Sequence, residues 1–131
     1  MKPRIVNIDT RLFNDETTIN ICELNNEIPF HVKRIYSLIL PKINISRGKH
    51  AHLNQMQLIL VLDGKLEIEL TNTKNEKFQF VLENNTQSLL IPENYWIELR
   101  SLLPTVAVCL ASQHFKDLET ITDIHSFLNQ V

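Results

Sequence analysis

Glycine is almost missing from this chain: its 131 residues hold two, Gly48 and Gly64. With so few freely rotating backbone positions, both are expected where a tight turn demands them. Cysteine is as scarce, with Cys22 and Cys109 alone. They fit no metal or redox spacing and make no disulfide framework, so two reduced thiols in a cytoplasmic protein are expected. No apolar run approaches the roughly 20 residues of a membrane span, and Met1 to Arg11 lacks the apolar centre of a signal peptide. Basic charge is not in excess either. Thirteen Lys and Arg face fifteen Asp and Glu, a net charge of -2, which argues against a nucleic-acid partner. Repeats, linkers and low-complexity segments are absent. What remains is one domain over residues 1–131, 44% hydrophobic and 21% charged, large enough for a real core.

The informative stretch runs from Ser46 to Leu70. His50 and His52 are two apart, so on a strand both side chains leave one face, spaced by about 7 Å. The apolar run Leu58-Ile59-Leu60-Val61-Leu62 ends at Asp63-Gly64, a two-residue hairpin signal. Leu66, Ile68 and Leu70 then alternate with Glu67 and Glu69, the pattern of a half-buried strand.

Along the rest of the chain, Arg4 to Ile8 reads as a short strand, Asp9 to Thr18 as a polar loop, and Ile19 to Glu23 as a weak strand. A turn follows at Asn25-Asn26-Glu27. From Phe30 to Leu40 one row carries Phe30, Val32, Arg34, Tyr36, Leu38 and Leu40, the more apolar face and hence the inward one. A guanidinium on that row needs an anion: either an internal carboxylate or a ligand phosphate or carboxylate. Strands are expected again at Phe78–Leu82, Ser88–Ile91, Tyr95–Leu99 and Val106–Ala111, with turns at Thr71–Lys77 and Glu83–Gln87. Leu118, Ile121, Ile124 and Leu128 fall near helical spacing with Asp117 as a cap. Many short strands and one late helix predict an all-β sandwich or barrel, with the jelly roll its natural form.

Glycine, a histidine-x-histidine pair, a glutamate and a later glycine form the first motif of the cupin jelly rolls, which this sequence resembles. Here His50 and His52 are the pair, but Gln57 stands at the glutamate. In the second cupin motif Pro92 is kept, while Ile97 stands at the third metal histidine. An amide oxygen is a poor ligand and isoleucine is none, so a site without metal or other cofactor is expected.

A closer resemblance covers almost the whole chain. Ile28-Pro29-Phe30-His31-Val32-Lys33-Arg34-Ile35-Tyr36, Arg47-Gly48-Lys49-His50-Ala51-His52, Gln57, Ile91-Pro92 through Trp96, and Leu110-Ala111-Ser112 resemble the cupin-type nucleotide-sugar 3,4-ketoisomerases. The resemblance implies a cupin jelly-roll barrel with a short C-terminal helix, forming an intertwined homodimer. It implies a dTDP-linked substrate, dTDP-4-keto-6-deoxy-D-glucose, on the way to 3-amino-3,6-dideoxy sugars of bacterial glycans. It places catalytic roles on His50, His52 and Tyr36, and substrate contacts on Arg34, Arg47, Gln57, Trp96 and Ser112, Trp96 either stacking on thymine or filling core. The chain departs from the family at Leu12 (usually glycine), Ser37 (often aromatic), Ile97 (commonly histidine) and in its tail, Gln113-His114-Phe115 and Thr122-Asp123-Ile124-His125.

The chemistry suits the residues. Moving a ketone to the neighbouring carbon removes a proton alpha to the carbonyl, passes through an enediolate and reprotonates one carbon along. That calls for a base near neutral pKa and a donor for the developing charge. Imidazole titrates near 6.5, so either histidine can begin neutral. His31 faces outward and His114 and His125 lie in the tail, where surface roles are expected. Two other readings share these residues: a catalytically silent cupin that binds a nucleotide sugar, and a metal-dependent cupin enzyme such as a dioxygenase.

Overall fold

The computed structural model describes residues 1–24, 28–83 and 87–130. The turns expected at Asn25–Glu27 and between Glu83 and Gln87 fall on residues outside that set. Among the described residues the strands are β1 (Arg4–Asn7), β2 (Asp9–Leu12), β3 (Thr18–Ile21), β4 (Arg34–Leu40), β5 (Ser46–His52), β6 (Gln57–Asp63), β7 (Lys65–Thr71), β8 (Lys77–Glu83), β9 (Gln87–Ile91), β10 (Tyr95–Ser101), β11 (Thr105–Ala111) and β12 (Thr120–Ile121). A 3-10 turn covers Phe115–Asp117, and one helix, α1, covers Ile124–Leu128.

Two five-stranded antiparallel sheets form the expected jelly roll, ordered β1-β9-β6-β11-β4 and β12-β5-β10-β7-β8. Their inner faces meet in one core. Ile59, Val61, Leu89, Ile91, Ala107 and Cys109 come from the first sheet, and Leu66, Ile68, Leu70, Leu82, Tyr95 and Ile97 from the second. Each fully buried aliphatic side chain here contributes roughly 1.5–3 kcal/mol before entropy is counted. The unbroken apolar run of β6 has a plain cause. Its other row, Leu58 and Leu60, packs outside the sheet with Val6, Ile28, Leu90 and Phe30. A strand covered on both faces has no reason to alternate.

Four expectations change. Asp63-Gly64 does not close a hairpin. β6 pairs with β9 and β11, while β7 pairs with β8 and β10, so this turn carries the chain from one sheet to the other. Asp9 to Thr18 is not all loop, because β2 pairs with β3 in a small separate ribbon. Phe30 and Val32 do not continue the inward row of β4, which begins at Arg34; Phe30 instead packs beneath the outer face. The helix is shorter than its pattern, because Thr120 and Ile121 are drawn into pairing with β5. Its cap is therefore Asp123, whose Oδ2 accepts from the Ser126 backbone N–H at 3.0 Å. The apolar spacing still has a use: Ile121, Ile124 and Leu128 pack around Phe127.

Gly64 shows what the sheet crossing requires. Its φ is +103°, and a Cβ there would run into the Pro104 carbonyl oxygen and lie 2.6 Å from Thr105 Oγ1. Gly64→Ala should destabilise the fold by at least about 2 kcal/mol, combining left-handed strain with a backbone collision. Urea unfolding followed by tryptophan fluorescence checks this, and an unchanged midpoint would refute it.

Candidate active site

The site is organised by an irregularity in β5. Against β10, Leu99 faces Arg47 and Glu98 faces Gly48, but Ile97 faces His50, so Lys49 is an extra residue. Gly48 at φ +97° and Lys49 at +58° carry this bulge. A Cβ on Gly48 would lie 2.6 Å from the Ile97 carbonyl oxygen, which is why glycine stands there. The extra residue shifts side-chain parity. In a regular strand Arg47 would point away from His50. Here its partner Leu99 stands on the same face as Ile97 and Tyr95, the partners of His50 and His52. Arg47, His50 and His52 thus share the inward face.

That face opens on a cavity of about 500 Å³ whose wall includes Tyr36, Arg47, His50, Gln57, Ile97 and Cys109. Tyr36 donates to Gln57 Oε1 at 2.8 Å, which fixes both side chains. Burial, reinforced by neighbouring Cys109 and partly offset by Arg34, pushes the Tyr36 phenol well above its ordinary value. It stays a neutral hydrogen-bond donor. Cys109 is the cross-strand partner of Tyr36, and burial pushes its thiol up to about 11, so it is no thiolate at neutral pH. A second hollow of about 410 Å³ adjoins the first, sharing Gly48, Lys49 and His50, and adding His52, Phe115 and Thr120.

Arg34 meets no internal carboxylate among the described residues. Its Nη2 donates to Gln55 Oε1 at 3.1 Å, its guanidinium lies 5.3 Å from the Tyr36 ring centre and 5.7 Å from that of Phe115, and its buried Nη1 has no partner. A cation held by a neutral amide and two rings is left with charge to satisfy.

The two imidazoles lie close, ring centres 4.5 Å apart and tilted by 51°. They are not equivalent. His52 Nδ1 is 3.0 Å from Thr120 Oγ1, whereas His50 has no hydrogen-bond partner among the described residues. Burial first, then the nearby His50 and Arg34, push His52 down to about 4. It is therefore neutral at cellular pH.

The cupin ligand positions do converge, since Gln57 and Ile97 line the cavity beside His50. They offer an amide oxygen already engaged by Tyr36 and a hydrocarbon. No three His, Cys, Asp or Glu side chains gather among the described residues. This donor set does not fit a catalytic metal.

Two expected substrate contacts stand elsewhere. Trp96 alternates with Ile97, so it faces away from the cavity. It pairs with Ala51, and packs at 5% exposure against Phe127 of α1. Ser112 accepts from the Met56 backbone N–H at 2.9 Å and returns its own N–H to Met56 O; it clamps the loop before β6. Three residues escaped sequence reading: Gln55, Cys109 and Thr120. The cysteine shares the inward parity of Ala107 and Ala111, a signal present in the strand. Gln55 sits in a loop and Thr120 lies 68 residues beyond His52, so neither carries a local signal. His31, His114 and His125 are exposed, as expected.

The depressed His52 value has a consequence for stability. Between its ordinary 6.5 and its folded value of about 4, the unfolded chain binds the proton and the folded chain does not. Stability should be full above pH 6.5 and fall as pH drops towards 4. His52→Gln should flatten that slope in melting curves across pH 4–7; an equal slope in both proteins would contradict the assignment.

Comparison with known proteins bears on the family and the fold. The family model described as FdtA, WxcM-like, C-terminal, matches residues 1–131. A 3,4-ketoisomerase structure from Helicobacter canadensis is 32% identical with a TM-score of 0.85, over 98% of this chain and 96% of that one. The TDP-quinovose 3,4-ketoisomerase of Campylobacter jejuni is 27% identical with a TM-score of 0.86, over 98% of each chain. A TDP-4-oxo-6-deoxy-alpha-D-glucose-3,4-oxoisomerase of Aneurinibacillus thermoaerophilus is 24% identical over 97% of this chain and 91% of its own. Matched along its whole length, the chain belongs to the FdtA, WxcM-like C-terminal family.

Proposed function

We propose that this protein is a cytoplasmic sugar 3,4-ketoisomerase. It moves the keto group of dTDP-4-keto-6-deoxy-D-glucose from C4 to C3 without metal, supplying a precursor of 3-amino-3,6-dideoxy sugars for bacterial surface glycans. The observation that carries the reading is the close pair of imidazoles, His50 lining the cavity that also presents Tyr36 and Arg47, and His52 lining the hollow beside it. The 32% identity to a 3,4-ketoisomerase supports it.

The chemistry follows from the groups present. A neutral imidazole removes the C3 proton, and the electron pair moves into a C3–C4 double bond with charge developing on O4. Tyr36, held neutral, turns its one proton from Gln57 Oε1 to that oxygen as the charge develops. The O3 proton passes to O4 through the second imidazole, C3 becomes the carbonyl, and a protonated imidazole returns a proton to C4. Atoms and charge balance without a redox partner. Arg47 at the cavity wall and Arg34 with its unpartnered Nη1 provide positive charge for the diphosphate, and Gln57 keeps Tyr36 in place.

The protein acts as a homodimer. β4 is an edge strand whose outward Ile35 and Ile39 are 66% and 64% exposed, and Leu12 and Phe13 beside the β2–β3 ribbon are bare as well. Apolar surface of this kind is covered by a self-complementary contact. Sedimentation velocity should give twice the 15.3 kDa chain mass, with Ile39→Glu shifting the boundary towards monomer. A monomeric parent would remove this part of the proposal.

The enzyme reading is tested by NMR of dTDP-4-keto-6-deoxyglucose in heavy water with a chelator present. The carbonyl should move to C3 as deuterium enters carbon. His50→Asn and His52→Asn should each lower turnover by roughly 10²–10⁴-fold with dTDP affinity nearly unchanged. Arg47→Ala should do the reverse, weakening dTDP binding by roughly 1.5–3 kcal/mol. Binding without carbon-bound exchange would leave a silent nucleotide-sugar binder, and loss of turnover to the chelator would reinstate a metal.

A further inference from the structure

Two imidazoles share the site, yet the protein treats them differently. His50 has no hydrogen-bond partner among the described residues, while His52 is tied through Nδ1 to Thr120 Oγ1 at 3.0 Å. The tie is built into the fold. Thr120 is the register partner of His52 in the β12–β5 ladder. The chain before it is bracketed to the segment after β5 by three bonds: Leu53 N–H to Glu119 O at 2.8 Å, Glu119 N–H to Asn54 Oδ1 at 2.9 Å, and Asn54 Nδ2 to Asp117 O at 2.8 Å. Beyond it, Phe127, fully buried, pins α1 against Ala51 and Trp96 on the back of β5 and β10. The C-terminal tail is thereby held as a fixed backstop behind one of the two histidines.

The kind of partner matters as much as its position. A carboxylate or a carbonyl oxygen only accepts, so it would lock Nδ1–H in place and leave Nε2 as a lone pair. A hydroxyl both accepts and donates. With Nδ1–H donating to Oγ1, Nε2 is free to take a proton. With Oγ1–H donating to Nδ1, Nε2 carries the proton and can give it. The imidazolium, with both nitrogens protonated, is served by the accepting hydroxyl as well. One side chain therefore supports every state of a group that must take and return protons within a single turnover.

We infer that Thr120 is a positioning residue for the isomerisation, holding His52 by Nδ1 with Nε2 turned away from the tail and letting it exchange tautomers in place. The inference rests on the ketoisomerase reading for its catalytic consequence, and on the Nδ1–Oγ1 geometry alone for its structural one. Nothing in the tail's sequence pattern assigns this position a role. The charged or titratable groups facing His52 are His50 of its own strand and Arg34 of β4; Thr120 adds a hydrogen bond without adding charge.

The test compares Thr120→Val, which keeps the shape and removes the hydroxyl, with Thr120→Ser, which restores it. In Thr120→Val, kcat should fall roughly 10- to 100-fold while KM stays within about twofold, since what is lost is proton handling and not substrate binding. Thr120→Ser should recover most of the rate, and melting temperatures should stay close to the parent's. An independent arm needs no substrate: long-range ¹H–¹⁵N spectra of ¹⁵N-histidine protein should show the His52 nitrogens shifting in Thr120→Val and returning in Thr120→Ser, with His50 signals little changed. If the parent isomerises no keto sugar, the ketoisomerase reading fails and the positioning role in catalysis falls with it, while the spectra still decide the hydrogen bond. If the parent turns over and Thr120→Val matches it, or if the His52 nitrogens do not move, the inference is overturned.

Discussion

One extra residue in β5 decides what this barrel can do. Strand geometry sends alternate side chains to opposite faces, so Arg47 and His50, three apart, would ordinarily be separated by the sheet. The bulge at Gly48 and Lys49 removes one step of that alternation and places a cation on the same face as both imidazoles. It costs two left-handed residues, one of them a lysine at φ +58°, a conformation that non-glycine residues adopt only under constraint. The constraint is the β10 ladder, which resumes at His50 directly beyond the bulge, and on the other side the β12 pairing at Ala51 and His52. A local backbone irregularity thus sets the charge and the chemistry of the cavity.

That charge is unbalanced by design of the surrounding residues. Arg34 rests on an amide and two rings, and Gln57, where a carboxylate would suit a metal, is neutral and occupied by Tyr36. Among the described residues no carboxylate pairs with Arg34, whose buried Nη1 is left without a partner. Burial first, then the nearby His50 and Arg34, push His52 far below the usual imidazole value. A dianionic diphosphate would satisfy the arginines and relieve part of that pressure.

How much of this was legible in the sequence follows from which contacts are local. The alternation in β4, β7 and β8 read correctly because each of these strands has one covered and one open face. The pair His50 and His52 and the arginine on the inward row of β4 rest on spacing within a single strand, while the failed metal motif rests on the cupin resemblance at Gln57 and Ile97. Asp63-Gly64 misled because a turn between sheets and a turn within one use the same residues; only the partners of β6 and β7 tell them apart. Trp96 misled in another way. Its resemblance-based place beside the substrate ignored that Ile97, one residue on, is the side chain facing the cavity. Asp117 lost the cap to Asp123 because a two-residue strand, invisible to helical periodicity, took up the intervening chain.

Thr120 illustrates the deeper reason. No property of the tail predicts that a threonine near its end meets a histidine 68 residues earlier, because the meeting is produced by ladder register and by Phe127 seated under β5. The tail departs from the family pattern in sequence, yet it still performs a positional task through its backbone: closing the edge of the second sheet beside His52. Edge strands need covering in any case, so a segment recruited for that purpose brings one side chain into contact with His52 at no further cost in chain length. The edge pairing and the His52 contact are thus supplied by the same short strand β12. A chain that lost this short pairing would expose the β5 edge and release His52 together, which ties the integrity of the tail to the orientation of the histidine it backs.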